Sequence, residues 1–165
     1  MRSDRLGAVC AASILAAALS GVASASASAT SSPTWPANAC GLLASAQLKP
    51  LMAGATPGKG LPTAGDKSAG RGAACTWESS TRTHSVALSA LTSAKPSRSE
   101  LSCSAGTSTK VSGIGTFALY CRAPGLPAFE VQDGTVAFTI QISGAGSGPS
   151  ESALESAARH VLKAL

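Results

Sequence analysis

Between residues 75 and 142 the apolar positions recur mostly every second residue, and from residue 152 onward they switch to a spacing of three and four. Cys75 and Trp77 share one face of an expected strand, and Val86, Leu88 and Ala90 alternate in a second, with residues 79–83 as the turn between them. Phe117, Leu119 and Cys121 alternate again after Val111, Ser112, Gly113, Ile114 and Gly115, a pattern that reads as a turn entering a strand. Around Asp133 and Gly134 turn chemistry and alternation agree. A two-residue turn there sets Val131 opposite Val136 and Phe129 opposite Phe138, on one face with Ile140 and Ile142. A slip of one residue would turn that whole set toward water. Residues 144–149, rich in glycine and closed by Pro149, then break the strand.

The helical period at the C-terminus puts Leu154, Ala157, Ala158, Val161, Leu162 and Leu165 on one stripe. Ser152 and Glu155 fit a capping box, Glu155 and Arg159 make an (i, i+4) pair, and Arg159, His160 and Lys163 complement the dipole at the helix end. Such a helix packs most simply across the apolar face of the sheet, because its alanines and small aliphatics lack the large anchors of a membrane-surface helix. Near the N-terminus, Asn38 caps a short turn carrying Leu42 and Leu43, and Ser45 caps a second carrying Leu48, Leu51 and Met52. Pro50 removes a backbone donor, so this second helix is expected to kink or restart there. Residues 54–72 hold glycines at 54, 58, 60, 65, 70 and 72 together with Pro57 and Pro62, and read as a long loop or irregular hairpin. Residues 95–100 are polar and broken by Pro96. The expected architecture is α+β: an antiparallel sheet, a short kinked N-terminal helix, and a C-terminal amphipathic helix packed on one face.

The first thirty residues follow a different pattern. Arg2 and Arg5 precede an apolar run from residue 6 to 19, and alternating alanine and serine follow from Ala23 to Ala29. That is the order of a secretory signal peptide, with cleavage after Ala25, Ala27 or Ala29. The run reaches Val22 at most, short of the roughly 20 residues that cross a bilayer, and no later segment is apolar for longer. Residues 1–29 are thus expected to be a cleavable leader, residues 30–37 a flexible lead-in with Pro33 and Pro36, and residues 38–165 one domain. Removing the leader takes Arg2, Arg5 and Asp4 from 13 basic and 8 acidic residues, leaving 11 and 7, a formal charge of +4.

Export changes how the cysteines are read. Cys10 leaves with the leader, and Cys40, Cys75, Cys103 and Cys121 enter an oxidising compartment, secreted or periplasmic, where they pair as disulfides in one of three connectivities. They lack the close Cys-x-x-Cys grouping of structural zinc, so no metal or other cofactor is expected. Nucleic acid is not an expected partner, because export removes that target and no basic stripe interleaved with aromatics is present. Residues 54–60 superficially suggest a phosphate-binding loop, but the glycine spacing is one residue short and no serine or threonine follows Lys59.

Catalytic chemistry finds little support. Only His84 and His160 are available as bases, at the start of a strand and near a helix end, and no Gly-x-Ser-x-Gly elbow occurs. Glu130 and Asp133 bracket a turn, where solvated positions account for both.

Cys40-Gly41-Leu42-Leu43, then Cys75-Thr76-Trp77, then Val111-Ser112-Gly113-Ile114-Gly115 resemble a pattern of actinobacterial secreted and lipoprotein domains of unknown function. There a Cys-x-Leu-Leu helix start precedes a Cys-Thr-Trp strand and a Val-x-Gly-x-Gly segment. The resemblance covers the chain from about Cys40 to the closing helix. It implies a compact α+β domain with an antiparallel sheet, pairs Cys40 with Cys75, leaves Cys103 for Cys121, and brings no catalytic residues. Members are often lipid-anchored, whereas this chain has no lipobox.

The expected function is that of an exported, monomeric, non-enzymatic domain that binds an envelope protein, an anionic polymer or a small ligand. Its recognition surface is expected at the basic loop carrying Lys59, Lys67 and Arg71, with Trp35 of the lead-in nearby, because long loops on rigid scaffolds often carry binding. The competing readings are a secreted enzyme inhibitor and a small hydrolase or hydrolase accessory using His84.

Overall fold

Alternating side chains need a cover on one side only, and this chain supplies it from its two ends. The structure, a computed structural model, describes residues 34–66, 68, 71–91, 101, 103, 106–144 and 148–165. The expected leader with its cleavage sites, Lys67 and the 95–100 segment lie outside the described residues. A 3-10 turn (Ala39–Leu42) leads into α1 (Ser45–Leu51). The strands follow as β1 (Leu61–Thr63), β2 (Arg71–Glu78), β3 (His84–Leu91), β4 (Thr107–Val111), β5 (Phe117–Arg122), β6 (Ala128–Asp133) and β7 (Val136–Gly144), and α2 (Glu151–Ala164) closes the chain. The seven strands form one antiparallel sheet in the order β1-β2-β3-β7-β6-β5-β4. The fold is therefore α+β. Two meanders, β1 to β3 and β4 to β7, join through the β3–β7 pair in mid-sheet.

Register aligns the apolar positions in rows across the strands. Trp77, Val86 and Ile142 make one row, Cys75, Leu88, Ile140, Phe129 and Tyr120 the next, and Ala90, Phe138, Val131 and Ala118 a third. All of these are buried, and Leu42, Leu48, Leu51, Met52, Leu154, Ala157, Ala158 and Val161 complete the same core. The helix α2 packs on β6 and against α1 and the 3-10 turn, and that turn packs on β2. Arg159 ties α2 to the loop before β5, donating from a guanidinium nitrogen to the Gly113 carbonyl at 2.7 Å, and stands 3.9 Å from Glu155. No described helix is long and apolar enough to cross a membrane.

Two disulfides hold the layers. Cys40–Cys75 fastens the 3-10 turn to β2, with Cα atoms 5.0 Å apart, and Cys103–Cys121 fastens the segment before β4 to β5, with Cα atoms 5.4 Å apart. This is the connectivity that the family resemblance implies. Gly60 lies so close to the first that a Cβ there would meet Cys75 Sγ at 2.8 Å and Trp77 Nε1 at 2.6 Å. Only glycine lets the chain pass over that crosslink.

Several local expectations shift. The β6–β7 turn residues are Gly134 and Thr135 rather than Asp133 and Gly134, so Asp133 faces Val136, Val131 faces Phe138 and Phe129 faces Ile140. Gly134 has φ +56°, as the first central position of a II′-type hairpin requires. The register moves by two residues, which preserves the faces. In β5 the inward side chains are Ala118 and Tyr120, while Phe117, Leu119 and Cys121 point to the other face, where Cys103 is reached. The helix α1 runs through Pro50 without restarting, because the proline falls in its last turn, and Met52 and Gly54 donate back to Leu48 and Lys49 carbonyls.

The caps move as well. Asn38 caps the 3-10 turn as expected, accepting from Cys40 N at 2.9 Å, but Ala44 precedes α1, with Gln47 Oε1 accepting from its N–H at 3.2 Å. Ser150 rather than Ser152 caps α2, accepting from Ala153 N at 3.3 Å. Residues expected as loop include the edge strand β1, and the polar β4 forms the other edge.

Candidate functional site

The hairpin of β1 and β2 extends one step beyond the ladder, where Arg71 N donates to Asp66 O at 2.8 Å. Asp66 Oδ1 accepts from Ser68 N (3.0 Å) and Ser68 Oγ (2.6 Å), an Asx turn that shapes the bend. The ladder is irregular between Arg71 and Ala74, and the freed Ala73 carbonyl accepts the indole N–H of Trp35 at 2.8 Å. The Trp35 ring stacks on the buried Phe138, with centroids 5.7 Å apart and planes at 29°. Trp35 is thus docked on the domain.

Beside it opens a cleft of about 530 Å³, lined among the described residues by Trp35, Ala37, Ala64, Gly65, Arg71 and the backbone around Ala73. Its walls are an indole and small aliphatic groups. Its charge is Arg71, exposed and without an ion pair among the described residues. The structure therefore brings together Trp35 and Arg71 of the expected surface. Lys59 is exposed but does not line the cleft, because Gly58 and Gly60 hold its segment against Glu78 and Trp77, farther along β2. Lys67 lies outside the described residues.

His84 sits at the end of the sheet, and Thr83 Oγ1 is 3.0 Å from its Nδ1. Thr83 in turn contacts Thr81 Oγ1 at 2.8 Å, and Thr81 contacts Ser79 Oγ at 3.2 Å. No described carboxylate bonds His84. The hydroxyls of Ser85 and Ser143 pair with each other at 2.6 Å across β3 and β7, on the face opposite to Val86 and Ile142. Among the described residues no group of three or more histidine, cysteine or acidic side chains is arranged to hold a metal.

Glu130 departs most from expectation. It does not pair with Asp133, since three residues along a strand put the two on opposite faces. Nor is it solvated: Glu130 is 9% exposed on the sheet face away from the helices, and its Oε2 is buried with no hydrogen-bond partner. Burial pushes its carboxyl above the ordinary glutamate range. A recess of about 190 Å³ opens at this point, lined by Glu130 with Ser89, Thr139, Gln141, Ala128 and Leu126.

Comparison with protein-family models, curated proteins and solved structures finds no match to the chain.

Proposed function

We propose that this chain is an exported, non-catalytic binding domain that presents the Trp35–Arg71 cleft to an anionic ligand of the cell envelope carrying an apolar portion. The observation that carries the reading is the pairing of an indole wall with a guanidinium that has no ion pair among the described residues, in a cleft of about 530 Å³, within the usual size of small-molecule sites. The indole supplies apolar area while its N–H is already satisfied by Ala73. Arg71 supplies the directional, charge-assisted contact. Two disulfides and the leader-like first 29 residues support action outside the cytoplasm.

The test is titration of tryptophan fluorescence with n-octyl phosphate below its micellar concentration, with n-octyl glucoside as the neutral control. The phosphate is expected to bind and the glucoside to bind far more weakly. Arg71→Gln should weaken octyl phosphate by roughly 10- to 100-fold, the range of a hydrogen bond to a charged group. Equal responses to both amphiphiles, or an unchanged Arg71→Gln titration, would count against the reading.

A further inference from the structure

The sheet face turned away from the helices carries a cross-strand row running from Ser89 through Thr139, Glu130 and Leu119 to Lys110. Glu130 stands in the middle of it, on an inner strand. Directly paired side chains on such a face lie about 5 Å apart at Cβ, so Thr139 is its immediate neighbour and Ser89 the next. Lys110 is two strands away, beyond Leu119, with Nζ 5.9 Å from the Phe117 ring centroid. Among the described residues lining the recess none is cationic.

A buried carboxylate oxygen without a partner is an expensive group to keep, since it gives up hydration and gains no bond in return. Glutamine would serve the strand as well and carry no charge. Glu130 Oε2 has no hydrogen-bond partner, and none of the described residues around it supplies a positively charged donor. The rest of the recess narrows the class. Ser89, Thr139 and Gln141 place two hydroxyl oxygens and a carboxamide oxygen around the same opening, all able to accept, while Ala128 and Leu126 offer apolar contact. An ammonium group has three donors and no acceptor, and its methylene stem is content against aliphatic surface. At about 190 Å³ the recess is smaller than usual small-molecule sites and suits a head group on a slender chain. A hard divalent cation is a poorer match, because it demands six or more oxygens and usually several carboxylates.

We propose that the Glu130 recess binds the protonated terminal amine of an aliphatic chain, either a free alkylamine or the side chain of a lysine. The site is separate from the Trp35–Arg71 cleft, which lies against Phe138 on the helix-covered side. Binding is linked to the proton on Glu130. The amine requires the carboxylate, and burial favours the neutral acid, so affinity falls as pH is lowered through the raised carboxyl range. Serine, threonine, glutamine and the disulfide-bonded Cys121 do not titrate there, and Lys110 is the charged group that shares the row.

The experiment is calorimetric titration of the oxidised protein at pH 7 and again at pH 4.5, with n-butylammonium, Nα-acetyl-lysine amide and neutral n-butanol. Butylammonium is expected to bind at pH 7, more weakly at pH 4.5, and at least tenfold more weakly to Glu130→Gln at pH 7, with the pH dependence lost in the variant. Ser89→Ala, at the rim, should weaken it a few-fold, and Arg71→Gln should leave it unchanged. Binding of the acetyl-lysine amide as well identifies a lysine-bearing partner, and binding of butylammonium alone identifies a free amine. Equal binding by Glu130→Gln with native near-ultraviolet dichroism, equal binding of n-butanol, or no binding of either ammonium probe at 10 mM overturns the proposal.

Discussion

Replacing Cys40 and Cys75 together by alanine tests how the N-terminal layer is held to the sheet. The two residues are 35 apart in sequence, and the chain-entropy treatment gives about 4 kcal/mol for a closed loop of that length. For Cys103 and Cys121, 18 apart, the same treatment gives about 3 kcal/mol. The first crosslink also fills space that nothing else can fill: Cys75 is fully buried, and the Gly60 backbone lies directly against both sulfurs. The void left behind adds about 1 kcal/mol. Cys40→Ala/Cys75→Ala should therefore lower the unfolding free energy by about 5 kcal/mol and Cys103→Ala/Cys121→Ala by about 3, out of a total of about 5–15 for a domain. On the thermal scale the first loss is a drop of roughly 10–20 °C in Tm. Urea unfolding followed by tryptophan fluorescence, on each variant with the other disulfide intact, reads both numbers. Equal losses, a larger loss for the second pair, or a loss under about 1 kcal/mol for the first would refute the reasoning.

Three further outcomes follow from the packing and the buried charge. Gly60→Ala should cost about 1–3 kcal/mol in urea unfolding, because a Cβ there meets Trp77 Nε1 at 2.6 Å and Cys75 Sγ at 2.8 Å, and a neutral effect would mean that the segment does not pass over the disulfide. Trp35→Phe keeps the ring over Phe138 but loses the bond to Ala73 O, and should cost about 1 kcal/mol. Glu130→Gln should raise stability at pH 7. Because burial raises the Glu130 carboxyl above its ordinary value of 4.5, its contribution is fully present below that value and lost as pH rises through the raised folded-state range. The stability difference between Glu130→Gln and the parent should accordingly shrink as pH falls toward 4, and a difference that grows instead would contradict the burial.

The sequence discloses those elements that are wet on one side and dry on the other. Val86, Leu88 and Ala90, the hairpin of Phe129 and Phe138, and the α2 stripe all alternate because a core waits on one side only, and their faces follow from the pattern. The edge strands do not disclose themselves, because nothing covers them: Leu61 of β1 is 59% exposed, and residues 107–110 of β4 are all exposed. Caps and turns are displaced by one or two residues, as between Ser152 and Ser150 in α2, where neighbouring serines offer the same chemistry and packing selects between them. In β5 the position of Cys121 decides the phase, since that sulfur must meet Cys103 on the outer face while Tyr120 lies inside.

The candidate sites are legible to different degrees. Arg71 and Trp35 are conspicuous residue types near glycine-rich chain, but their meeting depends on a bond spanning 38 residues. Glu130 gives a plainer misdirection. A glutamate between Phe129 and Val131 reads as the solvent side of a strand, and the side is right. What the pattern omits is that its neighbours across the sheet lie on β5 and β7, so that an outward position on an inner strand is nonetheless sheltered.

The most direct test of the account is intact mass spectrometry of the protein collected from its exporting host, with and without reduction. A chain beginning at Ser26, Ser28 or Thr30, gaining four hydrogens on reduction as Cys40–Cys75 and Cys103–Cys121 open, is the predicted result. A chain that retains residues 1–29 and carries Cys40, Cys75, Cys103 and Cys121 as free thiols would contradict it.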